Sequence, residues 1–134
     1  MFKGSIVALL TPFKDNKLDE ENYINLIHYH LKNGTHGIVP GGTTGESPTL
    51  SYDEHRKIIE ISVRETKGKI PVISGTGSNS TSEAVELSKF AESAGTNGLL
   101  IVTPYYNKPT KEGLYQHYKK INDNVGVPII ISNI

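Results

Sequence analysis

The sequence predicts an α/β protein built on a parallel sheet, and three observations carry this. Short apolar runs begin at residues 5, 37, 70, 99 and 127, one every 28 to 33 residues, which is the length of one strand–helix unit. The runs are nearly continuous in Ile, Val and Leu and do not alternate with polar residues, as expected of strands buried on both faces. Between them lie longer segments that carry helix caps, apolar stripes at spacings of three and four, and glycine stops.

In chain order, the first strand is expected within Ser5–Leu10. Asp19 then caps a helix through Ile24, Ile27 and Leu31 that stops near Gly34. The second strand is Gly37–Val39. Ser51 with Glu54 reads as a capping box opening a helix through Ile58 and Ile61, which stops near Gly68. Ile70–Ser74 is the third strand. Ser80 with Glu83 reads as a second capping box, for a helix with the stripe Ala84, Leu87, Ala91 and Ala94, ended by Gly95. Leu99–Thr103 is the fourth strand. Thr110 caps a fourth helix with Leu114, Tyr118, Ile121 and Val125 on one face, and Val127–Ile131 is the fifth strand. The exits Gly34-Thr35-His36-Gly37 and Gly95-Thr96-Asn97-Gly98 share a phrase, and each first glycine suits the left-handed turn after a helix. Right-handed crossovers turn this order into a parallel sheet. Both the first half of a (β/α)8 barrel and an open doubly wound sheet fit, and periodicity does not separate them.

Length and composition bound the function. The chain has 134 residues, one domain at most, with 14 Lys plus Arg against 14 Asp plus Glu. Zero net charge argues against a nucleic-acid partner, which needs a basic face, and against a polybasic membrane anchor. With no cysteine there is no disulfide scaffold, thiolate zinc site or cysteine nucleophile. The five histidines form no metal-ligand set, and neither a metal nor a cofactor is expected. The apolar runs are far too short for a membrane span, and Thr11, Pro12 and Phe13 make no small-residue cleavage site. A cytoplasmic protein is the expectation.

In either architecture chemistry gathers at the carboxyl ends of the strands. Those ends read Pro40-Gly41-Gly42-Thr43-Thr44-Gly45-Glu46-Ser47, Gly75-Thr76-Gly77-Ser78-Asn79-Ser80 and Thr103-Pro104-Tyr105-Tyr106-Asn107. Glycines let backbone N–H groups approach an anion, and paired hydroxyls can hold a carboxylate or relay a proton. Equally, the first segment reads as a glycine-rich turn and the tyrosine pair as an aromatic plug. Glu46 after Gly45 excludes a Walker loop, and Ser80 in place of a third glycine weakens a dinucleotide reading.

Taken together and in this order, Gly42 to Ser47, Asp53-Glu54-His55, Pro71 to Gly77, Thr103 to Asn107 and Glu112 to Tyr118 resemble the dihydrodipicolinate synthase family of pyruvate-dependent lyases, across essentially the whole chain. The resemblance implies a (β/α)8 barrel, of which residues 1–134 would be the amino-terminal half, about four and a half units. It implies condensation of pyruvate with aspartate-4-semialdehyde in lysine biosynthesis by the diaminopimelate route, through a lysine Schiff base. It implies that Thr43 and Tyr106 belong to a proton relay, with Tyr106 reaching into a neighbouring subunit of a homo-oligomer, and that Thr43 and Thr44 hold the pyruvate carboxylate. A lysine effector site would comprise Ser47, His55, Asn79, Glu83 and Tyr105, with Tyr52 where some members have histidine. Close relatives such as N-acetylneuraminate lyase share the barrel and a variant of the Gly-Thr-Thr-Gly-Glu loop.

Two departures bear on activity. The third relay tyrosine, at the end of strand five, is replaced in the phrase Ser132-Asn133-Ile134, and the Schiff-base lysine of strand six would follow the last residue. The twelve lysines present fall on polar helix faces, in loops, or at the opposite end, and an ordinary lysine amine is less than about 0.1% neutral at pH 7. The isolated chain is therefore expected to be inactive. It is also expected either to self-associate into a composite sheet through its open apolar edges or to aggregate. A non-catalytic half-barrel that binds a small carboxylate or lysine, or complements another chain, is the competing reading. A different pyruvate aldolase is the third.

Overall fold

A computed structural model describes residues 1–133; Ile134, the end of the strand-five phrase, lies outside the described residues. The strands that build the main sheet are β1 (Ile6–Ala8), β4 (Gly37–Val39), β5 (Ile73–Gly75), β6 (Gly98–Val102) and β7 (Ile129–Ser132). All their pairings are parallel: β1 with β4, β5 with β6, β6 with β7, and a single bridge from Ile38 to Val72 that joins β4 to β5. Spatial order thus follows chain order, with no switch point.

The helices are α1 (Glu20–Lys32), α2 (Tyr52–Thr66), α3 (Thr81–Ala94) and α4 (Lys111–Asn122). Each packs on the next, α1 on α2, α2 on α3 and α3 on α4. A sequential sheet with neighbouring helices in a row is singly wound. This sets aside the doubly wound alternative, which needs a reversal of strand order.

The caps expected from the sequence are in place, with one exception. The Asp19 carboxylate accepts from the Asn22 backbone N–H at 3.1 Å and its side-chain amide at 2.7 Å, and these bonds hold it below the usual carboxylate range. Ser51 and Glu54 close a full capping box. Ser80 accepts from Glu83 N–H, but the box is only half formed, because the Glu83 carboxylate accepts instead from the Ser78 hydroxyl at 2.9 Å. Thr110 caps α4. Gly34 (φ +76°) and Gly95 (φ +101°) take the left-handed turn after α1 and α3.

Two clusters make the core. Leu9, Tyr23, Ile27, Ile38, Ile58, Ile61 and Val72 join α1 and α2 to the first strands. Ile59, Ala84, Leu87, Ala91, Leu99, Ile101 and Ile121 join α2, α3 and α4 to β6. The Tyr23 phenol is buried against Ser62 at 2.9 Å, and burial pushes its pKa far up. Arg56 ties α2 to α3, pairing with Glu86 at 2.5 Å and lying 5.2 Å over the Phe90 ring.

The structure departs from the sequence reading in places. The third and fifth strands start later and extend one residue further than expected, because Gly75 and Ser132 still pair with β6. A short antiparallel hairpin, β2 (Phe13–Lys14) with β3 (Lys17–Leu18), precedes α1 through left-handed Asp15 and Asn16. The sequence reading missed it because its strands are only two residues long. Burial on both faces holds for β4 and β5 but not for β7, where Ile130 and Ile131 are exposed, since no strand pairs beyond it among the described residues. His117, absent from the expected stripe of α4, is buried on it.

Candidate active-site rim and adjoining cleft

The loops after β4, β5 and β6 meet at one end of the sheet, as parallel winding requires. The loop after β4 opens with Gly41 at φ +66° and runs into two short 3-10 turns, Thr43–Gly45 and Ser47–Thr49, joined by left-handed Glu46. Within it Gly42 C=O accepts from Gly45 N–H (3.0 Å) and Ser47 N–H (3.3 Å), and Thr43 C=O from Glu46 N–H (3.0 Å). From outside, buried Thr11 donates to Gly45 C=O at 2.7 Å, pinning the loop to the end of the first strand segment. Thr43 and Thr44 are exposed.

Beneath this loop the backbones are in close contact. Gly75 N–H donates to Pro40 C=O at 2.8 Å, and a Cβ on Gly75 would overlap the Gly41 carbonyl. A Cβ on Gly77 would fall 2.6 Å from Val102 N. Glycine is required here by close approach rather than by turn shape. The result is a small recess of about 20 Å³, room for one water, lined by Thr43, Ser47, Gly77, Leu100, Val102 and Ser132 among others. Thr43, in the loop after β4, and Ser132, at the end of β7, therefore face a common space.

Tyr105 and Tyr106 do not share that recess. Tyr106 is 89% exposed, and its hydroxyl has no hydrogen-bond partner among the described residues. Tyr105 N–H is held by the Asn79 side chain at 2.8 Å. Behind the rim, Tyr118 of α4 bonds Thr103 at 3.1 Å, and Thr103 donates to Ser132 C=O at 3.2 Å. Tyr118 thus anchors the end of β7; the sequence reading placed it only in the apolar stripe.

A larger cleft of about 240 Å³ adjoins the recess and shares Ser47 and Gly77 with it. Four of the five effector-site candidates line it: Ser47, His55, Glu83 and Tyr105; Asn79 is joined to it through Tyr105. Tyr52 lines it as well. The Tyr52 phenol is pushed up in pKa by desolvation and by hydrogen bonding to the Glu83 carboxylate. His55 is buried, with Nε2 donating to Gly75 C=O at 2.8 Å. A carbonyl only accepts, so the neutral ring carries its proton on Nε2. Burial lowers its pKa, partly opposed by that hydrogen bond.

No lysine is buried; only Lys57 is even half-buried, and it lies 3.7 Å from Glu20. Lys108, nearest the rim, is exposed at φ +39°. Among the described residues no three His, Cys, Asp or Glu side chains gather as a metal would need. No helix among them is long and apolar enough to cross a membrane.

Comparison with known proteins places this geometry. Residues 1–134 match the model of the dihydrodipicolinate synthetase family. The chain is 68% identical over 134 residues to the 4-hydroxy-tetrahydrodipicolinate synthase of Pelagibacter ubique, covering all of this chain and 46% of that protein. It superposes on the dihydrodipicolinate synthase of Aquifex aeolicus with a TM-score of 0.97 at 55% identity, over 99% of this chain and 45% of that one. The chloride-inhibited synthase of Acinetobacter baumannii, solved with pyruvate, gives 0.97 at 50% identity, over 100% of this chain and 46% of that one. The chain spans about half the length of the curated relatives it matches.

Proposed function

Because the chain belongs to the dihydrodipicolinate synthetase family, we propose that it forms the amino-terminal half of a (β/α)8 barrel lyase that condenses pyruvate with aspartate-4-semialdehyde through a lysine imine. The observation that carries this reading is the recess shared by Thr43 and Ser132 over a floor of glycines. A pyruvate carboxylate above that floor meets the Thr43 and Thr44 hydroxyls at the start of a 3-10 turn.

In this reading Thr43 passes a proton between the developing product and its relay partners, and exposed Tyr106 completes the relay in a neighbouring subunit of a homo-oligomer. Ser132 stands where a phenol would serve. Its hydroxyl is shorter and a far weaker acid than a phenol, so the relay is slow at that link. The adjoining cleft is the seat of a lysine effector, with Ser47, His55, Asn79, Glu83 and Tyr105 as its contacts. The protein acts in the cytoplasm on small soluble substrates and uses no cofactor.

The imine itself is not supplied by this chain. An attacking amine must be neutral, which takes burial or a cationic neighbour, and no lysine here has the first. This favours the reading in which residues 1–134 alone are non-catalytic and act when complemented by the rest of a barrel. Fusing them to the complementary segment of the Pelagibacter relative tests both parts. The chimera is expected to condense the two substrates, the Thr43→Val chimera to lose at least about a hundredfold in kcat, and the Ser132→Tyr chimera to gain. An inactive chimera that folds and forms the pyruvate imine overturns the assigned reaction.

A further inference from the structure

The Thr43 loop is tied to the first strand segment by one side chain. Thr11 is 5% exposed and donates its hydroxyl to Gly45 C=O at 2.7 Å. This is the only hydrogen bond among the described residues that joins residues 42–47 to a part of the chain outside the loop after β4. The donor is itself held from both sides. Leu9 N–H bonds Val39 C=O at 3.0 Å, and Asp19 N–H bonds Pro12 C=O at 2.9 Å. The acceptor is buried, and a Cβ on Gly45 would fall 2.9 Å from the Leu9 carbonyl oxygen and 3.1 Å from the Thr11 hydroxyl. Gly45 C=O shares one planar peptide unit with Glu46 N–H. That N–H donates to Thr43 C=O at 3.0 Å. The unit is thus held at its two ends, by Thr11 on one side and by Thr43 on the other, just before Glu46 turns left-handed at φ +59°.

We propose that Thr11 is a positioning residue for Thr43: its hydroxyl fixes the Gly45–Glu46 peptide plane, and that plane fixes the Thr43 backbone and so the direction in which Thr43 meets the rim. The proposal rests on the assigned reaction only for what Thr43 does there. Without the Thr11 hydroxyl a buried carbonyl loses its donor, and leaving it unpaired is costly. The peptide unit then turns toward water. A rigid plane that turns its C=O outward swings its N–H off Thr43. Glu46 holds a positive φ without a glycine's freedom, so its own backbone preference favours leaving this conformation. The hydroxyl carries the role and the methyl does not, since only the hydroxyl can pair with the carbonyl.

The test needs neither substrate nor turnover, so its failure is distinct from failure of the chimera to condense the substrates. Hydrogen–deuterium exchange of the full chain, resolved to single amides, is compared for the unmodified protein, Thr11→Val and Thr11→Ser. The Glu46 amide reports the plane. The Leu9 amide, bonded to Val39, reports the strand end on which Thr11 stands, and the His36 and Leu99 amides, bonded to Ser5 and Pro128, report the rest of the sheet. Thr11→Val keeps the shape and removes the hydroxyl, and it is expected to speed Glu46 exchange more than about threefold with the three reference amides unchanged. Thr11→Ser keeps the hydroxyl and is expected to return Glu46 to near the unmodified rate. A smaller acceleration in Thr11→Val overturns the proposal. So does a Thr11→Ser rate equal to that of Thr11→Val, or acceleration of all four amides alike. Should Thr11→Val fail to fold, the Thr11 Cβ signal of the unmodified chain in mixed H2O and D2O decides. A doubled signal marks a slowly exchanging hydroxyl and supports the bond, and a single averaged signal overturns it.

Discussion

His36 and Asn97 make the same two hydrogen bonds from equivalent places in the chain. His36 N–H donates to Ser5 C=O at 2.9 Å, and its Nδ1 accepts from Ser5 N–H at 3.0 Å. Asn97 N–H donates to Val72 C=O at 2.8 Å, and its Oδ1 accepts from Val72 N–H at 2.9 Å. Each residue thus closes the entry of the strand before it, satisfying both backbone groups of one residue. The repeated phrase Gly-Thr-X-Gly is legible in the sequence, but this shared task of its third position is not.

If Nδ1 of His36 serves only as an acceptor, asparagine should do its work. His36→Asn is expected to keep the thermal midpoint within about a degree, whereas His36→Leu should cost about 1 kcal/mol and lower it by several degrees. Equal losses in both variants would show that the ring acts through packing against Gly4 instead.

Glycines at positive φ should differ sharply in what they tolerate. Gly34 has open space around it, so Gly34→Ala pays only backbone strain, about 1 kcal/mol. Gly41→Ala adds a contact with His55 and should cost at least about 2 kcal/mol in urea unfolding. A smaller loss for Gly41→Ala than for Gly34→Ala would contradict the close contact of ring and backbone.

Stability should fall on mild acidification. His55 and His117 are buried, and desolvation lowers both pKa values below the ordinary histidine value of 6.5. The unfolded chain therefore binds protons first. Stability is complete above the unfolded value and is lost as pH falls from there toward the folded values. His117 bonds Thr81 at 2.8 Å through Nδ1, while its buried Nε2 has no partner among the described residues. Urea midpoints should drop between pH 7.5 and 5.5, and the slope should flatten in His117→Gln. A midpoint that rises on acidification would reverse the sign.

Pyruvate with borohydride should leave the isolated chain unmodified. Every lysine is exposed or, for Lys57, half-buried beside Glu20, so none has the burial that favours a neutral amine. Intact-mass measurement reads this directly. One stoichiometric adduct would identify a lysine nucleophile that burial does not reveal.

The free edge of β7 should drive self-association. Ile130 and Ile131 are 37% and 56% exposed, beside Tyr115 at 60%. Light scattering at tens of micromolar should show assemblies larger than the monomer, and Ile131→Lys should reduce them, since an edge charge opposes pairing. A monomeric unmodified chain would show the edge to be protected.

The sequence by itself determined the alternation of strands and helices, most of their caps and the end of the sheet at which the glycine- and hydroxyl-rich loops gather. These rest on local causes: a hydroxyl within reach of a nearby N–H, a stripe at helical spacing, a glycine where φ turns positive. Only the tertiary structure decided the single winding of the sheet, the contact of Gly41 with Gly75, and the meeting of Thr43 with Ser132. It also placed His55 between cleft and rim, and redirected Glu83 from Ser80 to Ser78. Such relationships depend on side chains far apart in the chain arriving within a few ångströms, and periodicity along one segment carries no record of the distance to another.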